Sequence, residues 1–506
     1  MPLRVVEKGV MRMLFLWNVF STKKFKVYGI ALAAAGVLTT PLLVTAQSAE
    51  QEVTFTKEIA PILQRSCQSC HRPNSVAPMS LMNYEEVRPW ARSIKQRTGL
   101  RNRMGVMPPW FIEKSVGIQD FKDDISLSET EIELIAEWVD NGAPQGNPAD
   151  MPAARVFAAA DEWDFGEPDL IVDSPSITMA AEAPDWWGAL APVPTGLTED
   201  RYVSAVEFKE LSDVQGGQGG KFIFHHAIHA MIDAEGKPGV AIGGPHEVGR
   251  NSETFDAAAG RLLTANSMLV FPSVHMHANG EDTTAHLRVG YKFHPKGYEP
   301  SRQLGNMTFG NGEIDLRAME ANQQVHMYTT LQEHTKLTTY EPHMHASGVR
   351  MCIEAIWGGR TEVLNCSGYD HNWVKVYHYT DDAAPLLPKG TLIHVTAYFD
   401  NTPSNKNVVD PRNWGGLGHR SIDNMAILIA SPLAMTDEQF QAEMDTRRER
   451  LNLAKGQAAP GCPLCGYDAL PAMTAPANSA NPVRPDDPAQ RGIQQEVKQS
   501  PAAGQN

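Results

Sequence analysis

Hydrophobic and polar positions follow two different periods along this chain. In the first 150 residues, apolar positions recur at helical spacing over 55–64 and 130–141, and Ser128 with Glu131 forms a capping-box pattern before the second stretch. From about 160 to 430 the pattern changes to short alternating segments separated by turn residues. Such alternation is typical of antiparallel sheets. The pattern therefore predicts a multidomain protein with a small all-α domain followed by two β-sandwiches.

The start of the chain has the pattern of an export signal. Lys23, Lys24 and Lys26 precede an apolar run over 27–44, and a small-residue cleavage pattern follows at 44–46. The run is borderline in length for a membrane span, so an uncleaved anchor is the alternative to a cleaved signal. Both alternatives predict a periplasmic location for the rest of the chain.

Length and charge narrow the class of protein further. The chain has 506 residues, too many for one ordinary domain, with 42% hydrophobic and 20% charged residues, as expected for a protein with true cores. The formal net charge of -15 disfavours nucleic acid as a partner and allows a cationic protein partner. The six cysteines of an exported chain indicate disulfides wherever no other motif assigns them.

Residues 67–71 carry the first chemical motif. Cys67-Gln68-Ser69-Cys70-His71 is C-x-x-C-H, the attachment signature of c-type haem. The two thiols would form thioethers with the haem, and His71 would be the proximal iron ligand. The structural alternative is a disulfide beside an unrelated histidine.

A second axial iron ligand is expected in the loop between the two predicted helices. Met107, in Val106-Met107-Pro108-Pro109-Trp110, is our choice because prolines fix the loop and methionine is a common ligand in cytochromes c. Met104 and Met79 are the alternatives. With both axial positions filled, the haem would transfer electrons and would not bind oxygen. The segment resembles a small class I-like cytochrome c domain.

Histidines recur in pairs on predicted strands of the β region. The pairs are His225 with His226, His275 with His277, and His343 with His345. Neighbouring residues of a regular strand point to opposite faces, so the first strand must twist or bulge if both of its imidazoles bind one metal. The other two pairs are spaced i and i+2, which puts both imidazoles on one face. Imidazole suits copper, zinc, iron and nickel, so the pairs are candidate metal ligands that do not name the metal. The alternative is histidines that are half-buried or at the surface without a metal, with one buried and one exposed in the case of His225 and His226.

Cysteine spacing predicts two disulfides. Cys352 and Cys366 flank a predicted hairpin over 351–364 that turns at Gly358-Gly359, although a simple count puts their register off by one. Cys462 and Cys465 lack a following histidine and indicate a local disulfide instead of a second haem site. Beyond Tyr467 the composition predicts a disordered tail.

The order of the motifs resembles one known family. His-His at 225–226, His275 before an Asn-Gly turn, His-x-His at 343–345, Asp-Asn-Thr at 400–402 and Asp-Asn-Met at 423–425 occur in the order seen in the copper type II, ascorbate-dependent monooxygenases. These are the peptidylglycine α-hydroxylating and dopamine β-monooxygenase group. The resemblance covers about 163–431 and implies two jelly-roll-like β domains, each holding one copper. With a c-type haem motif before the copper motifs, the chain resembles bacterial members of the group.

The resemblance also implies which residues bind the two coppers. The implied ligands of the electron-transfer copper are His225, His226 and His275, with His277 as the alternative to His275. The implied ligands of the oxygen-activating copper, which also make up the catalytic site, are His343, His345 and Met425. The thioether of the methionine favours Cu(I). The implied reaction is hydroxylation of a C–H bond by O2, with the haem in place of ascorbate.

These observations predict five segments. They are a signal peptide or anchor over 1–46, a cytochrome c-like haem domain over 50–148, an N-terminal copper β domain over 160–298, a C-terminal copper β domain over 299–440, and a helix or disordered tail over 441–506. The predicted function is an exported dicopper monooxygenase acting on a small substrate, supplied by a periplasmic electron donor. The alternatives are a non-catalytic haem-copper electron carrier or copper-handling protein, and a protein that binds zinc or a single metal.

Overall fold

The computed structural model describes residues 52–467 except 74, 76, 158–161, 215–221, 240, 248–251 and 421. The predicted export segment and the predicted disordered tail therefore lie outside the described residues. From Val53 onward the chain forms one unit by its internal contacts. Within the described ranges, no helix has the length and apolar character needed to cross a membrane.

Helices are few and lie mainly near the start of the described chain. They are α1 Ala60–Ser66, α2 Tyr84–Val87, α3 Ala91–Thr98, α4 Glu129–Asp140 and α5 Asp437–Arg450, with a π-helical turn Phe55–Ile59 before α1 and 3₁₀ turns Arg88–Trp90 and Pro148–Asp150. The predicted capping box of α4 is confirmed: the Ser128 side chain accepts from the Glu131 amide, and the Glu131 side chain accepts from the Ser128 amide. Buried apolar side chains of the first turn, α1 and α4 share one core.

Strands make up most of the remaining structure. The first thirteen are β1 Ile112–Gly117, β2 Leu170–Asp173, β3 Ile177–Met179, β4 Trp186–Pro194, β5 Arg201–Ser212, β6 Phe224–Ile232, β7 His246–Glu247, β8 Ser252–Thr254, β9 Arg261–Leu263, β10 Met268–Met276, β11 Thr283–Phe293, β12 Gln303–Leu304 and β13 Met307–Gly310. The next twelve are β14 Asp315–Leu316, β15 Gln323–Thr330, β16 His334–Leu337, β17 Thr339–Met344, β18 Gly348–Trp357, β19 Arg360–Gly368, β20 Tyr377–His378, β21 Leu386–Leu387, β22 Leu392–Phe399, β23 Gly415–Gly416, β24 Ala426–Ala430 and β25 Pro432–Met435. The prediction of a mainly β structure with few helices is confirmed.

The first β-sandwich consists of two antiparallel sheets. One sheet has the order β4-β10-β6-β7, and the other has the order β2-β11-β5-β8 with β3 and β9 added at its sides. Alternate side chains of β6 and β10 meet those of β5 and β11 in a common apolar core that includes Phe224, Phe271 and Leu287. The predicted histidine strands, β6 and β10, are therefore hydrogen-bonded neighbours in one sheet.

The second β-sandwich includes a strand from the segment assigned to the haem domain. Its larger sheet has the order β1-β19-β18-β22-β15, and the facing sheet has the order β13-β24-β17-β20. β1 pairs with β19, and Trp110, Ile112 and Phe121 are buried in the same core as Met351 and Leu428. The sequence did not predict that residues around 110–121 would belong to this core.

Both predicted disulfides are confirmed. Cys352 is bonded to Cys366, and Cys462 is bonded to Cys465. The hairpin β18–β19 has a register shift after Ile353, where Leu364 is left without a cross-strand partner. This bulge supplies the missing residue in the register count, so that Cys352 lies directly opposite Cys366.

Candidate metal centre

A β-bulge brings the first histidine group together. His275 on β10 pairs with His226 on β6, but the next residue, Met276, pairs with Phe224. His225 is therefore the extra residue of the bulge, and its side chain is free to turn toward the side of its neighbour. This is the local irregularity that two adjacent histidines need in order to share a metal.

The first group is compact enough to hold one ion. The candidate ligand atoms of His225, His226 and His275 all lie within 4.8 Å of one another. His277 also lies nearby, with its ring centre 5.9 Å from that of His225, but among the described residues it is not part of this compact group. The geometry thus favours His275 over His277 as the third ligand.

The neighbours of His275 hold its ring in one orientation. Trp187, its partner on β4, stacks on the imidazole with ring centres 4.2 Å apart and planes 5° apart. Nε2 of His275 lies 3.2 Å from the Asp185 carboxylate. A carboxylate on one ring nitrogen leaves the other nitrogen for a metal and fixes the tautomer.

Burial keeps these imidazoles neutral at pH 7. Burial, followed by the nearby histidines, lowers the pKa of His225 to about 2. Burial likewise lowers the pKa of His226 to about 4, although Glu247 opposes the shift. Burial also lowers the pKa of His275, against the effect of Asp185. Neutral imidazole is the form that binds a metal, so the group fits copper or a similar borderline ion.

The second predicted group lies on β17 and at the start of β24. His343 is on β17, and His345 follows the strand end and is buried. Met344 pairs with Ala426, so the same register places Met425 opposite His345. A hydrogen bond from the Ser347 hydroxyl to the Asn424 side chain ties the two segments together. The fold therefore brings the rings of His343 and His345 to within 5.6 Å of each other and carries Met425 on the neighbouring strand end.

Two buried carboxylates beside His343 were missed by the sequence reasoning. Nδ1 of His343 lies 3.1 Å from Oε1 of Glu247, and the candidate ligand atoms of Glu247, Glu341 and His343 all lie within 4.8 Å of one another. Glu341 precedes His343 by two residues, so strand periodicity was a usable signal for it. Glu247 carried no such signal, because it comes from β7 of the other sandwich and pairs there with His226.

His371 lies between the two groups and was also missed as a site residue. Its ring centre is 5.2 Å from that of His225 and 5.7 Å from that of His345. Burial lowers the pKa of His371 to about 4 and that of His345 to about 2, with neighbouring histidines adding to both shifts. The only sequence signal was a histidine within Gly368-Tyr369-Asp370-His371-Asn372-Trp373.

The C-x-x-C-H motif has two thiols that form no disulfide and one histidine with a hydrogen-bonded ring nitrogen. Cys67 and Cys70 are free thiols, unlike the other four cysteines, which form disulfides. Nδ1 of His71 lies 3.1 Å from the Met79 carbonyl oxygen, which can only accept, so Nδ1 carries the proton. Nε2 then has the lone pair needed to bind iron. The alternative of a disulfide within the motif is absent from the structure.

The three candidate axial methionines have different surroundings. Met107 is 41% exposed and lines a cleft of about 460 Å³ with apolar residues that include Leu127 and Ile132. The sulfur of Met104 lies 3.5 Å from the side-chain nitrogen Nδ2 of Asn407. Met79 packs against the core of the helical segment. The cleft beside Met107 is lined by neither cysteine of the motif nor by His71, so these surroundings do not distinguish among the three methionines.

The loop that carries Met107 packs against the segment that carries His371. The Gly105 amide donates to the Asp370 carboxylate at 2.8 Å, and the Phe111 amide donates to the Tyr377 hydroxyl at 3.1 Å. The Gly368 amide donates to the Phe111 carbonyl at 2.9 Å. The predicted haem loop is thus joined directly to the segment around His371.

Comparison with known proteins gives little guidance. No protein-family model matches the chain, and no curated protein matches it. Among solved structures, similarity is found to the major capsid protein P2 of bacteriophage PM2, with 9% identity, a TM-score of 0.26, and coverage of 52% of this chain and 96% of that one. The empty particle of cowpea mosaic virus gives 8% identity, a TM-score of 0.25, and coverage of 56% and 97%. A tandem CBM22 domain of Paenibacillus barcinonensis Xyn10C gives 8% identity and a TM-score of 0.15, with coverage of 55% of this chain and 99% of that one.

Proposed function

We propose that this chain is an exported copper-dependent monooxygenase that hydroxylates a C–H bond of a small substrate with O2. The observation that supports this most is the convergence of two histidine groups from two different sandwiches on one place, where the ring centre of His371 lies 5.2 Å from that of His225 and 5.7 Å from that of His345. Two metal ions at such a place can each supply one of the two electrons that the reaction consumes.

We assign the following residues to the metals and the haem. His225, His226 and His275 hold one copper, and His343, His345 and Met425 hold the other. Cys67, Cys70, His71 and Met107 hold a covalent c-type haem. When bound, the coppers supply single electrons and activate O2, and the haem supplies electrons one at a time. In this proposal residues 50–148 are a cytochrome c-like domain and the two sandwiches are jelly-roll-like copper domains.

The residues around the metal ligands hold protons and orientations in place. Asp185 favours a proton on Nε2 of His275 and so leaves the lone pair on Nδ1 for a metal. The buried carboxylate of Glu247 lies 3.1 Å from Nδ1 of His343, close enough to favour a proton on that nitrogen and to leave Nε2 for the metal. The link between Ser347 and Asn424 fixes the backbone before Met425. The histidines are partly or fully buried, which limits the access of bulk water to this place.

Metal analysis and rapid kinetics test this proposal together. The full chain is produced in a host that matures c-type haem, and copper and iron are counted per chain. We expect two coppers and one iron, oxygen uptake with a suitable substrate, and faster reoxidation of the reduced haem when copper and O2 are both present. A haem protein without tightly bound copper would contradict the assignment. Unchanged haem reoxidation would contradict the electron route.

A non-catalytic haem-copper protein is the second candidate. It is favoured by the Glu247, Glu341 and His343 group, because carboxylates can fill positions that an oxygen-binding metal must keep open. Oxygen uptake separates the two candidates. A protein that binds two coppers and never consumes O2 with any C–H substrate or reductant would be a carrier or a copper-handling protein.

A further inference from the structure

We propose that the outer face of the second sandwich carries a further metal site, in which His326 and His394 bind one divalent transition-metal ion that favours imidazole, such as Cu(II) or Zn(II). Neither residue belongs to the two histidine groups described above, and the inference does not rest on the proposed function. It comes from the register of three strands, the distances between the donor atoms, and a carboxylate that orients one of the rings.

Strand register places the two histidines side by side on one face of a sheet. β15, β22 and β18 are consecutive strands of the larger sheet of the second sandwich. His326 of β15 pairs with Thr396 of β22, and Glu354 of β18 pairs with His394 of β22. Residues at i and i+2 of a strand share a face, so all four side chains lie on the same face. Exposed and buried residues alternate along β15, and His326 is on the exposed side, where an ion can reach it from solvent.

Three donor atoms form a triangle of the size that one ion requires. Nδ1 of His326 lies 3.0 Å from Nε2 of His394, and Oγ1 of Thr396 lies 3.2 Å and 3.4 Å from these two nitrogens. With metal–ligand bonds of about 2.0–2.1 Å, two ligand atoms are about 2.9 Å apart at a right angle and about 3.3 Å apart at a tetrahedral angle. An ion on the solvent side of the triangle can therefore contact all three atoms.

Glu354 holds His394 in the tautomer that a metal needs. Oε2 of Glu354 lies 2.7 Å from Nδ1 of His394 and accepts its proton, so the lone pair is on Nε2, the nitrogen nearest to His326. A carboxylate on the other ring nitrogen is the common partner of a metal-binding histidine. Tyr328 stacks on the same ring with ring centres 4.5 Å apart and planes 7° apart. The ring of His394 is thus held at one edge and on one face.

The alternative is a hydrogen bond between the two rings without a metal. Nδ1 of His326 would then donate to Nε2 of His394, which also accounts for the distance between them. Metal binding requires the proton of His326 to leave Nδ1 and a proton from solvent to bind Nε2, so that both lone pairs face the ion. The ring stays neutral, and no electron is transferred. Since His326 is exposed, solvent can exchange this proton, and metal binding itself distinguishes the two alternatives.

Copper counted at controlled free concentrations tests the proposal on the full haem-containing chain. Glycine holds Cu(II) at a series of free concentrations, and equilibrium dialysis measures the bound copper in the wild type and in His326→Ala. We expect the wild type to bind one equivalent for which His326→Ala has at least roughly tenfold lower affinity, a loss no smaller than that of a supporting residue. The electron paramagnetic resonance spectrum of this added copper should show coupling to two nitrogens.

Glu354→Gln tests the positioning role of the carboxylate. We expect the affinity for the same equivalent to fall roughly 10–100-fold, while the coupling to two nitrogens remains in the spectrum of the copper that still binds. Unchanged affinity in Glu354→Gln would remove the carboxylate from the argument.

His294→Ala is the matched control. His294, like His394, stacks on a tyrosine, with its ring centre 3.8 Å from that of Tyr298, but its Nε2 lies 2.9 Å from the Ala259 carbonyl oxygen instead of a second imidazole. Its copper binding should equal that of the wild type at every free concentration. If His326→Ala does not fold, as judged by circular dichroism, His394→Asn should lack the same equivalent.

The outcomes separate this inference from the proposed function. Equal copper binding by the wild type and His326→Ala at every free concentration would overturn the surface site, and two tightly bound coppers in both would leave the monooxygenase assignment intact. A wild-type chain without tightly bound copper that still binds the equivalent missing from His326→Ala would contradict the proposed function and support the surface site.

Discussion

His226 and His275 face each other across paired strands, whereas His343 and His345 follow one another along a single chain segment. Cross-strand neighbours have Cβ atoms about 4.5–5.5 Å apart, which suits two ligands of one metal. Residues at i and i+2 along a strand are about 6.6 Å apart, so a metal site built on them needs further ligands from other segments. Strand pairing and the bulge at His225 therefore assemble the first group within one sheet, and the second depends on residues brought in by other elements.

The surroundings of the two groups differ in the same way. The ring of His275 is oriented by β4, the neighbouring strand of its own sheet, through Trp187. His343 contacts Glu247 of the other sandwich instead. A site built inside one sheet should tolerate changes in the other sandwich, while a site built between sandwiches should respond to both. This difference gives the following predictions.

His226→Ala should have the largest effect, because it removes a ligand from the group that a single sheet assembles. We expect loss of one of two coppers per chain, with affinity at the first group reduced by at least roughly 100-fold, more than a change in a supporting residue produces. Metal analysis after dialysis against a chelator measures this. His343→Ala should remove the other copper. If His226→Ala retained both coppers, the first group would not be a metal site.

Loss of the Cys352–Cys366 disulfide should have the next largest effect, and it should act on the second sandwich. The sequence contains no cysteine between Cys70 and Cys352, so the first sandwich has no such link. The bond joins residues 14 apart, and removing it by Cys352→Ala with Cys366→Ala should lower the free energy of unfolding by about 3 kcal/mol. Urea unfolding followed by circular dichroism measures the change.

The second disulfide provides the control for that experiment. Cys462 and Cys465 are only 3 positions apart, so the bond removed by Cys462→Ala with Cys465→Ala closes a much shorter loop. A smaller loss of stability is expected, because the entropy of loop closure increases with loop length. Equal losses in the two double variants would show that local packing, not loop closure, determines the contribution of each bond.

The local features were predictable from the sequence because each depends on neighbouring residues. The capping box at Ser128, the hairpin turn at Gly358-Gly359 and the need for a bulge at His225 all follow from spacing within a few positions. The two disulfides were predicted from compartment and spacing, although the bulge that aligns Cys352 with Cys366 was not. Period and turn chemistry are read directly from the residues.

The features that were missed depend on contacts between distant segments. β1 joins the sheet of the second sandwich through β19, more than 240 positions later. Glu247 and His371 reach the histidine groups through tertiary packing, and their local sequence shows only a short strand and a turn. No periodicity connects such positions, so a single sequence gives candidate ligands that occur in short motifs and leaves out residues, such as these two, that have no motif.

Asp185→Asn should have a moderate effect that is confined to the first group. The carboxylate lies 3.2 Å from Nε2 of His275 and orients the ring, and an amide of the same shape removes the charge that favours this tautomer. We expect copper affinity at this group to fall roughly 30-fold, within the range for partners of metal-binding histidines. Chelator competition measures it. An equal loss of copper affinity at the second group would mean that Asp185 supports both groups.

Met425→Leu should have the smallest effect, and it tests whether the second group is a soft or a hard site. If Met425 is the third ligand, loss of its thioether should weaken Cu(I) binding there by roughly tenfold, about 1.4 kcal/mol, while Cu(II) binding changes less. Leucine has a similar volume, so folding should be preserved. Cu(I) affinity is measured with a colorimetric chelator under anaerobic conditions.

Glu247→Gln is the comparison that gives this last experiment its meaning. If Glu247, Glu341 and His343 form the actual ligand set, the glutamine should weaken Cu(II) and Zn(II) binding more than Met425→Leu weakens Cu(I) binding, because carboxylates favour harder ions. That result would replace the methionine-containing site with a carboxylate one and would favour the non-catalytic candidate. The reverse pattern would place the sulfur of Met425 on the metal and leave Glu247 as the residue that orients His343.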